Sequence, residues 1–172
     1  MGLVRPCGFS GNANMADPVP SERKDIFDQL LRAAIEEARA GLAEGGIPIG
    51  SALGNAQGEI LGRGHNMRVQ QGDPMAHAEI SCMRNAGRRP HFRGLILAST
   101  LMPCCLCAGA SIQFGIGTVI VGESRNFPGE RALMESRGID VFDLDDATCI
   151  KMMADFVRDH PELWNEDIGV EE

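Results

Sequence analysis

Two stretches narrow the possible folds more than anything else in the chain. GLILAST at 94–100 and GTVIVGE at 117–123 are nearly continuous apolar runs of strand length. A strand with one wet face alternates polar and apolar side chains, whereas one without alternation is buried on both faces. Both runs therefore call for helices above and below them. Their neighbours supply these. Ile26, Leu30, Ala34, Ala38 and Leu42 recur every four residues, which predicts a helix with Ser21 as its N-cap and a stop at Gly45–Gly46. IPIGSAL and EILGRGHN, joined by the turn GNAQG, read as a hairpin. Helices are predicted at 77–87, 104–114, 129–137 and 145–159, with a strand IDVFDL at 139–144, while HPELWNEDIGVEE shows no clear period. A hairpin followed by strand–helix alternation implies an α/β fold, a three-layer α-β-α sandwich around a five-stranded mixed, mostly parallel sheet.

The 172 residues are enough for one domain with a real core, assigned to 21–172. Residues 1–20, rich in Gly, Pro and Asn, read as a flexible N-terminal tail with a second possible start at Met15. The net charge of −8 gives no general attraction to a phosphate backbone, so no nucleic-acid partner is expected. No window approaches the roughly 20 apolar residues of a membrane span, and the N-terminus has no apolar signal core. The six cysteines cluster unlike a disulfide framework and read as reduced thiols with a metal pair, which makes cytoplasmic the default compartment.

The chemistry concentrates in HAEIS at 77–81 and PCCLC at 103–107. His77 opens one predicted helix and Cys104 another. Cys104 and Cys107, three apart, share a helical face, while Cys105 is turned about 100° away. Pro103 suits the first turn of a helix, and a helix N-terminus favours the thiolate that zinc requires. One nitrogen and two sulfurs, from His77, Cys104 and Cys107, leave the fourth tetrahedral position to water, the pattern of a catalytic zinc rather than a closed structural one. Zinc-bound hydroxide would be the attacking group, and Glu79, left free, the proton shuttle. His-x-Glu alone is weak; joined to Pro-Cys-x-x-Cys in this order it is the signature of zinc nucleobase deaminases, whose glutamate is not a ligand. A zinc-stabilised binding module without catalysis would leave Glu79 without a purpose.

EGGIPIG, GRGHNMR, HAEIS, PCCLCAGA, IVGESRNF and WNEDIG, in this order between about 27 and 169, resemble the cytidine deaminase superfamily and, within it, the fungal-type (yeast) cytosine deaminases. The resemblance implies a cytidine-deaminase-like fold, a homodimer, one catalytic Zn2+ per subunit and hydrolysis of a free nucleobase, cytosine to uracil plus ammonia. It assigns zinc to His77, Cys104 and Cys107 and proton transfer to Glu79. It places Asn66 on the pyrimidine's polar edge, Asp167 near its amino group, and Phe127 and Trp164 with Ile49 in an apolar lid, part of it from the C-terminal segment. Two positions depart from the family pattern. Ala78 replaces a glycine, though its backbone N–H remains available to the base, and Met102 replaces a serine before Pro103. HAE and PCxxCAGA are shared with guanine deaminases and tRNA adenosine deaminases, so another base or a pyrimidine analogue stays open as substrate. The acidic charge weighs against tRNA.

The remaining histidines carry bland readings. His65 packs or caps a strand end, and His91 and His160 lie on the surface. GRRPHFRG at 87–94, the one basic cluster, reads as a solvated loop. Cys82, five residues beyond His77 on the same helix, would point away from any metal.

Overall fold

A computed structural model describes residues 16–170. A 3-10 turn at Ser21–Arg23 leads into α1 (Lys24–Ala43), followed by β1 (Gly50–Gly54), β2 (Ile60–His65), α2 (Arg68–Gln71), α3 (Ala78–Ala86), β3 (Ile96–Leu101), α4 (Cys105–Phe114), β4 (Thr118–Glu123), α5 (Arg131–Ser136), β5 (Asp140–Asp143), α6 (Ala147–Asp159) and α7 (Pro161–Ile168). The five strands lie in the order β2-β1-β3-β4-β5. β1 is antiparallel to β2 and β3, while β3, β4 and β5 pair in parallel, so four of the five strands run the same way.

Alternate residues of the two central strands feed two different cores. Ile96, Ala98 and Ile120 pack with Phe27, Leu30 and Ala34 of α1 and Cys149 of α6. Leu97, Val119 and Val121 pack with Cys82 and Met83 of α3, Ala108 of α4 and Met134 of α5. Every residue of β3 and β4 is buried, as two covered faces require. A third cluster gathers Ile47, Ile49, Ala78, Leu101, Met153, Phe156 and Trp164 at one end of the sheet.

Glycines in β2 bring α3 down onto the sheet. A Cβ on Gly64 would lie 2.5 Å from the Cys82 nitrogen, and one on Gly62 would lie 2.7 Å from the Cys82 carbonyl oxygen. Backbone-to-backbone contact of this kind sets the height of α3, and with it the residues at its N-terminus, to within a side chain's thickness.

Four expectations need correction. Ser21 is not the N-cap of α1: it lies within the 3-10 turn, its hydroxyl is directed at the Glu22 carboxylate, and no side chain caps the helix. Leu42 leaves the buried stripe and is 42% exposed, because the helix outruns the sheet. Pro161–Ile168, aperiodic to sequence reading, is helix α7. Of the tail expected over residues 1–20, residues 1–15 lie outside the described residues, but Asp17 is fastened down. Its N–H bonds the Asp143 carbonyl at 2.7 Å, and its carboxylate accepts from the Asp143 N–H and from Arg131, while Val19 packs on the α1 core.

Candidate active site

Two helix starts face each other where β2, β3 and β4 end. His77 and Cys104 are the N-cap residues of α3 and α4, both in extended conformation. Cys107 follows one turn into α4, fully buried. The His77 ring and the two sulfurs all lie within 4.8 Å of one another, and they are the one group of three such donors among the described residues. His77 Nδ1 stands 3.5 Å from Cys104 Sγ. Zinc bonds of about 2.0–2.1 Å to nitrogen and about 2.3 Å to sulfur, at a tetrahedral angle, separate neighbouring donors by about 3.6 Å. The donor set and its spacing therefore fit a zinc ion. Cys105 is exposed, and Cys82 directs its sulfur at the Gly62 carbonyl.

Electrostatics divide the three donors. Hydrogen bonding from Cys107, outweighing burial and joined by His77, lowers the Cys104 thiol to about 4. The neighbouring Cys104 sulfur, followed by burial, pushes Cys107 well above its ordinary value. Burial opposes charge on His77, yet the Cys104 sulfur and the Asp167 and Glu79 carboxylates overcome it and raise the imidazole to about 9. Glu79 is almost wholly buried, and burial, then the charge of Cys104, raises its carboxyl above the usual range. A cation bound beside it would act in the opposite direction.

The pocket over these groups is narrow, with a free volume of about 20 Å³. Ile49, Asn66, His77, Ala78, Glu79, Met102, Cys104, Phe127, Trp164 and Asp167 all line it, joined by Leu101 and Ile168. The structure thus gathers every residue singled out from the sequence, with Cys107 just beneath. Larger surface clefts, the two most spacious of about 640 and 570 Å³, contain none of these side chains. Phe127 and Trp164 meet edge to face, ring centroids 5.7 Å apart. Asn66 is fully buried; its Nδ2 donates to Asp167 Oδ1 at 3.1 Å and its Oδ1 accepts from the Arg68 N–H. Asp167 also lies 3.9 Å from His77 Nε2.

Sequence reading missed two contributors. Ser99, on β3, donates to Glu79 Oε1 at 3.2 Å. Its signal was a hydroxyl, beside that of Thr100, inside an otherwise apolar strand, and a buried hydroxyl needs a partner. Arg68, on the short α2, reaches Asp167 at 3.4 Å and Glu166 at 3.2 Å and so ties α7 over the pocket. Its only signal was proximity to Asn66. Outside the site, His65 sits between Glu37 and Glu44 at the end of β2, and His91 and His160 are exposed. The 87–94 loop is exposed apart from Phe92, which anchors it, and the half-buried Arg89.

A family model describing the cytidine and deoxycytidylate deaminase zinc-binding region matches residues 25–123. The chain belongs to this family and is a zinc-dependent deaminase. Among its relatives, a cytosine deaminase from Candida albicans is 40% identical over 81% of this chain and 94% of its own length. A tRNA-specific adenosine deaminase from Haemophilus influenzae is 36% identical over 59% of this chain and 61% of its own. In structure, a guanine deaminase from Nitrosomonas europaea superposes with a TM-score of 0.63 at 22% identity, covering 87% of this chain and 98% of that one, a likeness of fold.

Proposed function

We propose that this chain hydrolyses a free nucleobase, converting cytosine and water to uracil and ammonia. The observation that carries this reading is the roof. α7 lays Trp164, Asp167 and Ile168 across a narrow pocket whose Glu79 and Asn66 are almost wholly buried. A base still attached to a polynucleotide needs an open side for its backbone; a free single-ring base does not. The 40% identity to a cytosine deaminase, over nearly the whole of that relative, supports the same substrate.

His77, Cys104 and Cys107 would hold the zinc ion. When bound, the ion supplies a Lewis acid that activates water near neutral pH. Glu79 would accept one proton of the attacking water and pass it to the ring N3, then take the second from the hydroxyl added at C4 and deliver it to the departing amine, which leaves as ammonia. The Ser99 hydroxyl occupies Glu79 Oε1 and so leaves Oε2 to move the proton. Asn66 and the Ala78 N–H meet the polar edge of the base, and Asp167 meets its exocyclic amine. Phe127, Trp164 and Ile49 form the apolar walls, Met102 closes the floor, and α7 acts as a lid that excludes water and strengthens charge interactions inside.

The same proposal includes a homodimer working in the cytoplasm. α4 has no charged side chain, yet Leu106, Ala110 and Ile112 are only half-buried and Phe114 is 47% exposed, an apolar face suited to a second copy. Cys82 and Cys149 are buried and unpaired, as suits a reducing compartment. No helix among the described residues is long and apolar enough to cross a membrane. Ammonia release from a panel of cytosine, guanine, adenine, cytidine and a tRNA anticodon stem tests the substrate. Cytosine is expected to turn over fastest; faster turnover of guanine or of the RNA would replace this reading.

A further inference from the structure

Glu123, at the end of β4, is fully buried, and among the described residues no lysine or arginine side chain pairs with it. The guanidinium of the adjacent Arg125 goes instead to Asp145. A buried carboxylate without a cation is expensive unless hydrogen bonds satisfy it. Here three do, all from the following turn. Oε2 accepts from the Arg125 N–H at 2.7 Å and the Asn126 N–H at 3.0 Å, and Oε1 accepts from Asn126 Nδ2 at 3.1 Å. Asn126 Nδ2 also donates to the Ile150 carbonyl of α6. The next residue is Phe127, which stands over the pocket against Trp164. The backbone completes the clamp. The Glu123 carbonyl accepts from the Met102 N–H at 3.0 Å, and beyond Phe127 the Glu130 N–H bonds the Pro103 carbonyl at 3.0 Å. One residue thus ties the floor of the pocket to the turn that carries its aromatic wall.

We propose that Glu123 is a positioning residue for substrate binding, acting through Asn126 to hold Phe127 against Trp164 at the face of the bound base. The inference rests on the pocket being the base-binding site. Glu123 itself does not line the pocket. Its effect falls on a stacking surface present in both the ground and transition states, so its loss raises KM and leaves kcat nearly unchanged.

Glu123→Gln tests this. The amide keeps one oxygen for the two backbone N–H groups but turns an NH2 toward Asn126 Nδ2, which the Ile150 carbonyl holds as a donor. Stacking of a base on an aromatic ring corresponds to a fivefold or greater effect on affinity, so KM for cytosine is expected to rise about fivefold or more. Asn126→Ala removes the same bond from its other side and is expected to reproduce the change. In a Phe127→Ala background neither substitution adds to KM. The chain has one tryptophan and no tyrosine, so near-UV circular dichroism reads Trp164 free of tyrosine signal. Both variants should change that band while the far-UV spectrum holds. An unchanged Trp164 band in both, or a KM rise that persists without Phe127, would overturn the proposal. Should the wild-type protein release ammonia from no base at all, the deaminase reading fails instead, and the Trp164 band still decides whether Glu123 positions Phe127.

Discussion

The three side chains that would hold zinc do not start from one protonation state. At pH 7 the metal-free cluster holds Cys104 as thiolate, with its pKa near 4, His77 as imidazolium, with its pKa near 9, and Cys107 as thiol. Zinc binds two thiolates and a neutral imidazole. Loading therefore expels about two protons per ion at pH 7, from His77 and Cys107, and affinity climbs as pH rises from about 5 toward 9. Titration calorimetry in buffers of different ionisation heat measures this directly; release of fewer than one proton per ion would contradict the charge assignment. The pair of cysteines is thus unequal, although the sequence writes them alike: Cys104 caps the helix beside His77, and Cys107 lies buried one turn in.

At the scale of elements, the site depends on how closely helices sit on strands. Gly64→Ala would set a methyl 2.5 Å from the Cys82 nitrogen and 2.8 Å from the Ser81 carbonyl carbon. Neither backbone atom can yield without moving α3, so a loss of about 1–3 kcal/mol of stability is expected, together with weaker zinc retention, because α3 carries His77. Denaturant melts and zinc-to-protein ratios check both; a variant matching wild type on each count would show that α3 is set by other contacts. Periodicity made the central strands, α1 and the starts of α3 and α4 legible, since burial on two faces and ligand spacing leave marks in consecutive residues. α7 left no such mark. It is eight residues long, begins at Pro161, and its inward residues Trp164 and Ile168 span a single turn. Arg68 and Ser99 left only faint marks for a related reason: each matters through a partner distant in sequence, Asp167 and Glu79, which no local pattern encodes.

For the whole molecule, the two ends of the described chain have different tasks. The C-terminal α7 closes the pocket, whereas residues 17–19 clip the far edge of the sheet. Asp17 binds the Asp143 N–H at 2.7 Å and Arg131 Nη1 at 2.8 Å. Partial burial acts to raise its carboxyl, but the Arg131 and Asp143 bonds prevail and hold it below the usual range. A depressed folded-state value stabilises the protein above the unfolded-state value, near pH 4, and the gain fades as pH falls through the folded-state one. Asp17→Asn is therefore expected to cost about 1 kcal/mol at pH 7, discounted for solvent access, with the difference shrinking as pH falls below about 4. A gap between the two melting curves that fails to narrow on acidification would contradict this. The central claim is that the enzyme moves its protons through a carboxylate that does not hold the metal. The most direct measurement is the rate of ammonia release from cytosine by zinc-loaded Glu79→Gln beside the wild type. Full zinc occupancy with turnover reduced about 10²–10⁴-fold is the predicted result; turnover near the wild-type rate, or loss of the zinc itself, would contradict it.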